Sequence, residues 1–314
     1  MKNLVTKAVL LASIIFVFTS CQNKKNNAIL NNTSNKPEVA IQKPFLDKKE
    51  DSLITKAQNK ATLKKVTKAR EKMVKEATQA VLGTQEAIQL LSKNDDVDAI
   101  NKLEKVIGQI EIVTNKYPDL DIIPIDVKVK TNDLISDIST IKQITKDAER
   151  ALKTGQLQEA KRLLSGLSSE IDITTVNLPL GVYPKEIEKA VHLIGLNKLD
   201  EAKSLLISTT NELVTEQEVV PIPILRAKAL LDEAAQKYAD NKSKNNLVVI
   251  NLLDNAKYQL KIAEVLGYGN QDIIFNELDE EIKNLKKSVN KNADSNDLFN
   301  KVKSKLKKFK EKIS

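Results

Sequence analysis

The sequence predicts an all-α protein, a bundle or short stack of antiparallel helical hairpins. From about Asp51 onward, apolar residues recur at three- and four-residue spacings, as on one face of a helix. Glycine is scarce, at 8 of 314 residues. Short apolar segments that contain proline separate the helical stretches, and proline interrupts a helix. We therefore expect hairpins that are joined by Pro-containing apolar connectors.

Residues 1–20 have the pattern of an export signal. Lys2 and Lys7 precede an unbroken run of apolar and small residues, Ala8 to Phe18. This run is shorter than the roughly 20 residues that a membrane-spanning helix needs. Cys21, which follows Phe18-Thr-Ser, resembles the acylated first residue of a bacterial lipoprotein, although leucine is usual where Phe18 stands. The alternative is an ordinary signal peptide that ends near a cysteine.

The lipoprotein resemblance implies that residues 1–20 are removed and that Cys21 carries the lipid, with palmitate among its acyl chains. It places the protein in the cell envelope as a membrane-anchored lipoprotein, at the outer membrane or the periplasmic face of a Gram-negative cell. Residues 21–50 are polar and Asn-rich and have no apolar period. Such a segment buries too little apolar surface to fold, so we predict a disordered tether.

A sequence pattern that occurs four times predicts four hairpins, and we assign each occurrence to the second helix of a hairpin. The closest pair is Gly155-Gln-Leu-Gln-Glu-Ala-Lys-Arg-Leu-Leu164 and Asn197-Lys-Leu-Asp-Glu-Ala-Lys-Ser-Leu-Leu206. Similar patterns begin at Val97 and Leu247. In the closest pair, a Gly or Asn suited to a helix C-terminus precedes the helix, and a small Ala lies between the apolar positions. The pattern is typical of tight helical hairpins.

Three apolar connectors separate these hairpins, at Ile122–Ile125, Val176–Leu180 and Val219–Ile224. Their apolar residues indicate that they pack on the core as buried links between helices. The alternative is that they line a ligand site.

The hairpin at Ala151–Leu164, the connector at Val219–Ile224 and the helix at Asn255–Glu264 resemble the YfdX family of bacterial stress-associated proteins. The resemblance spans roughly residues 130–270, and we assign residues 116–282 to a YfdX-like helical domain. It implies an exported helical protein linked to acid, multidrug or envelope stress, with no established catalytic residues. The hairpin at 51–115 and the lysine-rich helix at 283–314 are additions to that pattern.

The inventory of reactive side chains argues against an enzyme. Cys21 and His192 are the only cysteine and histidine. If Cys21 is acylated, the mature chain has no free thiol for a disulfide or a cysteine nucleophile, and a single histidine excludes a multi-histidine metal site. Glu188 lies one helical turn from His192, the wrong spacing for a di-iron bundle. Asn94, Asp96 and Asp98 resemble the start of a calcium loop but fit a helix N-terminus better. We expect no catalytic residues, cofactor or metal.

The C-terminal 32 residues hold eleven lysines and three acids, whereas Cys21–Ile282 is close to neutral. A stripe of apolar residues predicts a helix: Leu298, Val302, Leu306, Phe309 and Ile313. Candidate contacts to an anionic surface are Lys301, Lys303, Lys305, Lys307, Lys308, Lys310 and Lys312. A basic amphipathic helix can lie on an anionic membrane. The alternative is that the stripe packs on the bundle and the lysines are only solvated.

The function expected from these features is binding rather than catalysis. Grooves lined by Leu178, Leu180, Val219 and Val220 would hold client proteins or amphiphilic small molecules. In the alternative, the Cys21 lipid and the basic helix act as a structural tether on anionic lipid. Expected partners are the membrane through Cys21, and either envelope proteins, amphiphiles or anionic lipid. Self-association is open, and nucleic acid is not expected.

Overall fold

The computed structural model describes residues 48–240, 246–269 and 273–313. The predicted signal, Cys21 and the tether up to residue 47 lie outside the described residues. No helix in the described ranges is both long and apolar enough to span a membrane.

The described residues form eleven helices and three strands. The helices are α1 (Lys48–Arg70), α2 (Lys75–Leu91), α3 (Asp96–Lys116), α4 (Ile138–Lys153), α5 (Leu157–Ser165), α6 (Tyr183–Gly195), α7 (Leu199–Asn211), α8 (Ile222–Asp240), α9 (Asn246–Val265), α10 (Ile274–Asn290) and α11 (Asn296–Ile313). The strands are β1 (Ile122–Asn132), β2 (Glu170–Pro179) and β3 (Val214–Pro221). The predominantly helical class predicted from the sequence is confirmed.

A helical hairpin followed by a strand occurs three times in succession: α2–α3–β1, α4–α5–β2 and α6–α7–β3. A fourth hairpin, α8–α9, follows without a strand. The four repeated patterns in the sequence lie in α3, α5, α7 and α9, the second helix of each hairpin. The central alanines, Ala160 and Ala202, are buried, because a methyl side chain lets the two helices of a hairpin approach closely.

The three connectors are not simple links, because the first lies within β1, the second forms the end of β2, and the third joins the end of β3 to the start of α8. The strands form one antiparallel sheet in the order β1-β2-β3, and Ile123 of β1 lies opposite Leu178 of β2. The prolines are tolerated because Pro124 and Pro221 are on edge strands and Pro179 ends the central one. The expectation that these segments are buried is confirmed, and the small three-stranded sheet that they help to form is an element that the sequence analysis did not predict.

The turns inside the hairpins follow the predicted chemistry. Gly155 and Asn197 adopt positive φ angles of 73° and 62°. The next residue in each turn donates its backbone N–H back to the preceding helix, Gln156 to the carbonyl of Ala151 at 2.8 Å and Lys198 to that of Leu193 at 2.9 Å. These bonds satisfy carbonyls that the end of a helix leaves free.

Two helical cores lie among the described residues. In the first, α2, α3, α6 and α7 pack with β1 and β2, and the buried Tyr183 hydroxyl donates to Thr84 Oγ1 at 2.8 Å. Burial raises the pKa of Tyr183 to about 12. In the second, α8, α9, α10 and α11 pack around a leucine- and alanine-rich interior that also receives Ile54 of α1. A smaller cluster attaches the sheet to α1.

The α4–α5 hairpin shares the repeated sequence pattern of the α6–α7 hairpin but has a different environment. Leu206 of α7 is 0% exposed, whereas Leu164, at the matching place in α5, is 45% exposed. Ile194 of α6 is 4% exposed and Leu152 of α4 is 49% exposed. The difference arises because α2 and α3 cover the α6–α7 hairpin, whereas α4–α5 is attached mainly through the N-terminal end of α4 to α9.

Candidate ligand-binding cleft

Helix α11 is docked on the bundle by its apolar stripe. Val302, Leu306 and Phe309 are buried in the second core, and the ring of Phe309 meets that of Phe275 edge to face at a centroid distance of 4.9 Å. Phe299 is also buried, whereas Leu298 is only partly covered. At the start of α11, the buried residue is therefore Phe299, one position after the Leu298 that the sequence pattern predicted. Its apolar face is used inside the protein.

The lysines of α11 divide into groups with different surroundings. Lys301 lies 2.8 Å from the carboxylate of Glu281, and Lys305 lies 2.9 Å from that of Glu277. These ion pairs bind α11 to α10. Hydrogen bonds from Lys301 and Lys305 hold the pKa of the Glu281 carboxyl below its usual range. Much of the positive charge that the sequence assigned to the tail is therefore neutralised within the protein.

The outward side of α11 carries Lys308 and Lys312, which are both exposed. Lys303, Lys307 and Lys310 point the other way, toward α8 and α1. Lys303 pairs with Asp232 of α8 at 2.7 Å. Three of the seven candidate lysines thus line a recess in the protein, and the others do not.

The recess lies between α11, α8, α1 and β3. It consists of two adjoining cavities of about 420 and 340 Å³ that share Lys228, Leu306 and Lys307. The rest of the first is lined by Lys65, Glu218, Ile224, Lys310 and Glu311, and the rest of the second by Leu231, Asp232, Lys303 and Ser304. We call the two together the lysine cleft. Volumes of a few hundred Å³ are typical of sites for small molecules.

Lys310 is the electrostatically unusual member of the lysine cleft. Its side chain is half-buried, and no carboxylate lies within ion-pair distance of its ammonium among the described residues. Burial lowers the pKa of Lys310, and the positive charges of Lys65 and Lys228 lower it further. The more distant carboxylates of Glu218 and Glu311 act in the opposite direction. The surroundings of Lys310 therefore disfavour the charged form of its side chain.

The carboxylates of the lysine cleft are engaged by lysines. Glu218 forms an ion pair with Lys65, which connects β3 to α1. Asp232 accepts hydrogen bonds from Lys228 and Lys303. Burial raises the pKa of the Asp232 carboxyl, but these two bonds outweigh it, so the pKa lies below its usual range. Five lysines and three carboxylates line the cleft, which leaves an excess of positive charge near Lys310.

Comparison with known proteins places a domain in the middle of the chain. Residues 80–219 match the family model described as YfdX protein. This segment is similar to the YfdX family, and we call residues 80–219 the YfdX domain. The match begins within α2 and ends within β3, so the domain comprises the three hairpin–strand units. The sequence resemblance had placed it at 116–282; the match starts earlier and ends before α8.

One solved structure that the chain resembles is YfdX of Salmonella Typhi. The sequences are 14% identical, and the alignment covers 48% of this chain and 93% of that one, with a TM-score of 0.35. No curated protein matches the chain. The lysine cleft lies almost entirely outside the YfdX domain, which contributes only Glu218 to it.

The predicted groove on the connectors is not present as an open site. Leu178, Leu180 and Val220 are buried in the cores, and Val219 is only partly exposed. Their side chains are used to attach the strands of the YfdX domain to the helices. Ile224, Leu231 and Leu306 lie at the base of the lysine cleft, but they are at most 2% exposed, so they too are almost fully buried.

The other polar motifs lie where a structural role explains them. Glu188 and His192 are exposed on α6. Asp95 caps α3 by accepting the backbone N–H of Asp98 at 3.2 Å, as the helix-start interpretation predicted. Within the described ranges, no cluster of three or more His, Cys, Asp or Glu side chains is placed to hold a metal ion.

Most residues that line the lysine cleft outside α11 were missed by sequence reasoning, and three of them carry charge from distant parts of the chain. Lys65, Lys228 and Glu218 lie on α1, α8 and β3, and their proximity depends on how these elements pack. The pairing of α11 with α10, in contrast, is indicated by the sequence. The acidic run Glu277-Leu-Asp-Glu-Glu281 precedes the lysines and carries opposite charge on a neighbouring helix.

Proposed function

We propose that this protein is an exported, lipid-anchored, non-enzymatic binding protein of the cell envelope that holds an amphiphilic ligand in the lysine cleft. The observation that carries the proposal is a recess lined by lysines whose accessible surface is more apolar than polar, because the aliphatic stems of the lysines lie over the buried Ile224, Leu231 and Leu306. Ligand sites commonly combine apolar walls with a few polar groups that orient the ligand. The YfdX domain would support the cleft through β3.

The inventory of side chains supports binding rather than catalysis. The chain has one histidine, which is exposed, and one cysteine, which we expect to be acylated. The lysine cleft contains neither, so it has no nucleophile–base pair of the usual hydrolytic kind. A role in the response to envelope stress, in which the protein sequesters amphiphiles, fits this inventory and the YfdX family.

The anchor is proposed at Cys21, on the sequence pattern of residues 1–21. Metabolic labelling with an alkynyl palmitate tests it directly. We expect label on the wild-type protein and none on Cys21→Ser. Equal labelling of both, or of neither, would contradict the anchor without affecting the proposal for the lysine cleft.

Binding in the lysine cleft is tested with the uncharged fluorescent probe 1-N-phenylnaphthylamine and a variant that fills the cleft. Ser304 is exposed on α11 and lines the second cavity, so Ser304→Trp places an indole there. We expect saturable fluorescence enhancement with the wild type and at least a fivefold loss with Ser304→Trp. Asn300→Trp, an exposed position on the same helix, is the matched control. Equal binding by both variants would place the ligand elsewhere.

A further inference from the structure

We propose that the ligand of the lysine cleft is a single-chain amphiphile with an anionic head group, held by Lys310, Lys228 and Lys65, and that its alkyl chain lies along the lysine stems that cover Leu306 and Leu231. This inference rests on the proposed function and adds the chemical class of the ligand. It concerns α1, α8 and α11, which lie outside the YfdX domain.

The distribution of charge favours an anion. Glu218 is already paired with Lys65, and Asp232 is already shared by Lys228 and Lys303. Lys310 has no such partner among the described residues, although two other lysines are close enough to repel it. A half-buried cation next to like charges is unfavourable unless an opposite charge compensates it. An anionic group placed between the three ammonium groups supplies that compensation.

The shape and lining of the lysine cleft favour an anion that carries an alkyl chain over a small free anion. The cavity around Lys310 continues past Leu306 into a second cavity that Leu231 borders. A small anion would occupy only the end around Lys310 and leave the apolar stems of the other lysines exposed to water. An alkyl chain would cover that apolar surface, and each methylene group buried there would strengthen binding.

Isothermal titration of Cys21→Ser protein, which cannot be acylated, with decanoate, decanol and acetate tests this inference. Decanoate and decanol share the chain, whereas decanoate and acetate share the head group. We expect decanoate to bind at least tenfold more tightly than decanol, and acetate to show no competition at matched concentrations. Lys310→Met, which keeps most of the stem and removes the charge, should weaken decanoate binding at least tenfold and leave decanol unchanged. Lys228→Met should act in the same direction.

Lys308→Met is the matched control, because Lys308 is an exposed lysine of the same helix outside the lysine cleft. It should leave decanoate binding unchanged. Equal affinity for decanoate and decanol would overturn the anionic head group but leave amphiphile binding intact. Competition by acetate at the concentrations of decanoate would overturn the role of the chain. If neither ten-carbon ligand binds, both this inference and the proposed function fail.

Discussion

The ammonium of Lys303 lies 2.7 Å from a carboxylate oxygen of Asp232, and this contact joins the last helix of the chain to α8. Lys228 of α8 donates to the same carboxylate. Asp232 therefore holds two lysines from different helices beside the apolar side chains of Leu231 and Leu306. A tail that looks like a free basic helix in the sequence is, in the folded protein, one wall of a cleft.

The docking of α11 predicts a large loss of stability when its buried face is truncated. Phe309→Ala removes a ring that packs on Phe275 inside the second core. We expect the free energy of unfolding to fall by about 3–5 kcal/mol. Lys308→Gln, on the exposed side, should change it by less than about 0.5 kcal/mol. Urea denaturation followed by circular dichroism measures both, and an unchanged midpoint for Phe309→Ala would mean that α11 is not docked in solution.

A second prediction concerns the turn after α9. Gly269 has a φ angle of 85°, and a Cβ atom added there would lie 2.8 Å from the ring of Phe309. Gly269→Ala should therefore lower the free energy of unfolding by about 1–3 kcal/mol, through backbone strain and crowding. Gly108→Ala is the control, because Gly108 lies within α3 with open space around it. There, alanine should stabilise the protein by up to about 1 kcal/mol. Opposite signs in thermal denaturation are the expected result.

The repeated hairpins provide a matched pair of leucines. Leu206→Ala leaves a cavity between α7 and the helices that cover it, and should lower the free energy of unfolding by about 2–5 kcal/mol. Leu164→Ala, at the matching place in α5, removes a largely solvated side chain. We expect a change below about 1 kcal/mol, again by urea denaturation. Similar losses for the two variants would mean that a further contact covers the α4–α5 hairpin in solution.

Binding of decanoate should depend on pH through Lys310, whose pKa is lowered by burial and by the nearby lysines. The groups that face Lys310 are Lys65 on α1, Lys228 on α8, Glu218 on β3 and Glu311 on α11. Below its lowered pKa the ammonium is charged and attracts the carboxylate. The affinity should therefore be highest near neutral pH and fall as the pH rises through that pKa. Titrations from pH 7 up to the ordinary pKa range of a lysine should show this fall for the wild type and a weaker one for Lys310→Met.

The same lowered pKa has a consequence for stability. The folded state disfavours the charged form of Lys310. At pH values below the folded-state pKa, this charge therefore lowers the free energy of unfolding, and the penalty is lost as the pH rises above that pKa. Lys310→Met should therefore be at least as stable as the wild type at pH 7. This is what makes it a clean probe of binding, and a lower melting temperature would count against the account of Lys310.

The helices were predictable because their apolar residues follow one face and their turns use Gly155 and Asn197 at positive φ. The strands were missed although their pattern is visible. Ile123, Ile125, Val127 and Val129 alternate with polar residues from Asp126 onward, which is typical of a half-buried strand. Pro124 was interpreted as a break between helices, whereas on an edge strand it leaves the pairing intact.

The lysine cleft could be predicted only in part. The lysines of α11 were identified, but a helical stripe cannot distinguish a membrane from the bundle as the surface that covers it. Lys65 and Glu218 pair although they are 153 positions apart in the sequence. Such contacts depend on how α1, α8 and the sheet pack, and that arrangement is not encoded in any local pattern.

The most direct test of the central claim is the structure of the protein with decanoate bound. We predict that the carboxylate lies within hydrogen-bond distance of Lys310 Nζ and that the chain lies along the lysine stems that cover Leu306. Density for decanoate at any other place, or a carboxylate that points into solvent while the chain fills the lysine cleft, would contradict the account.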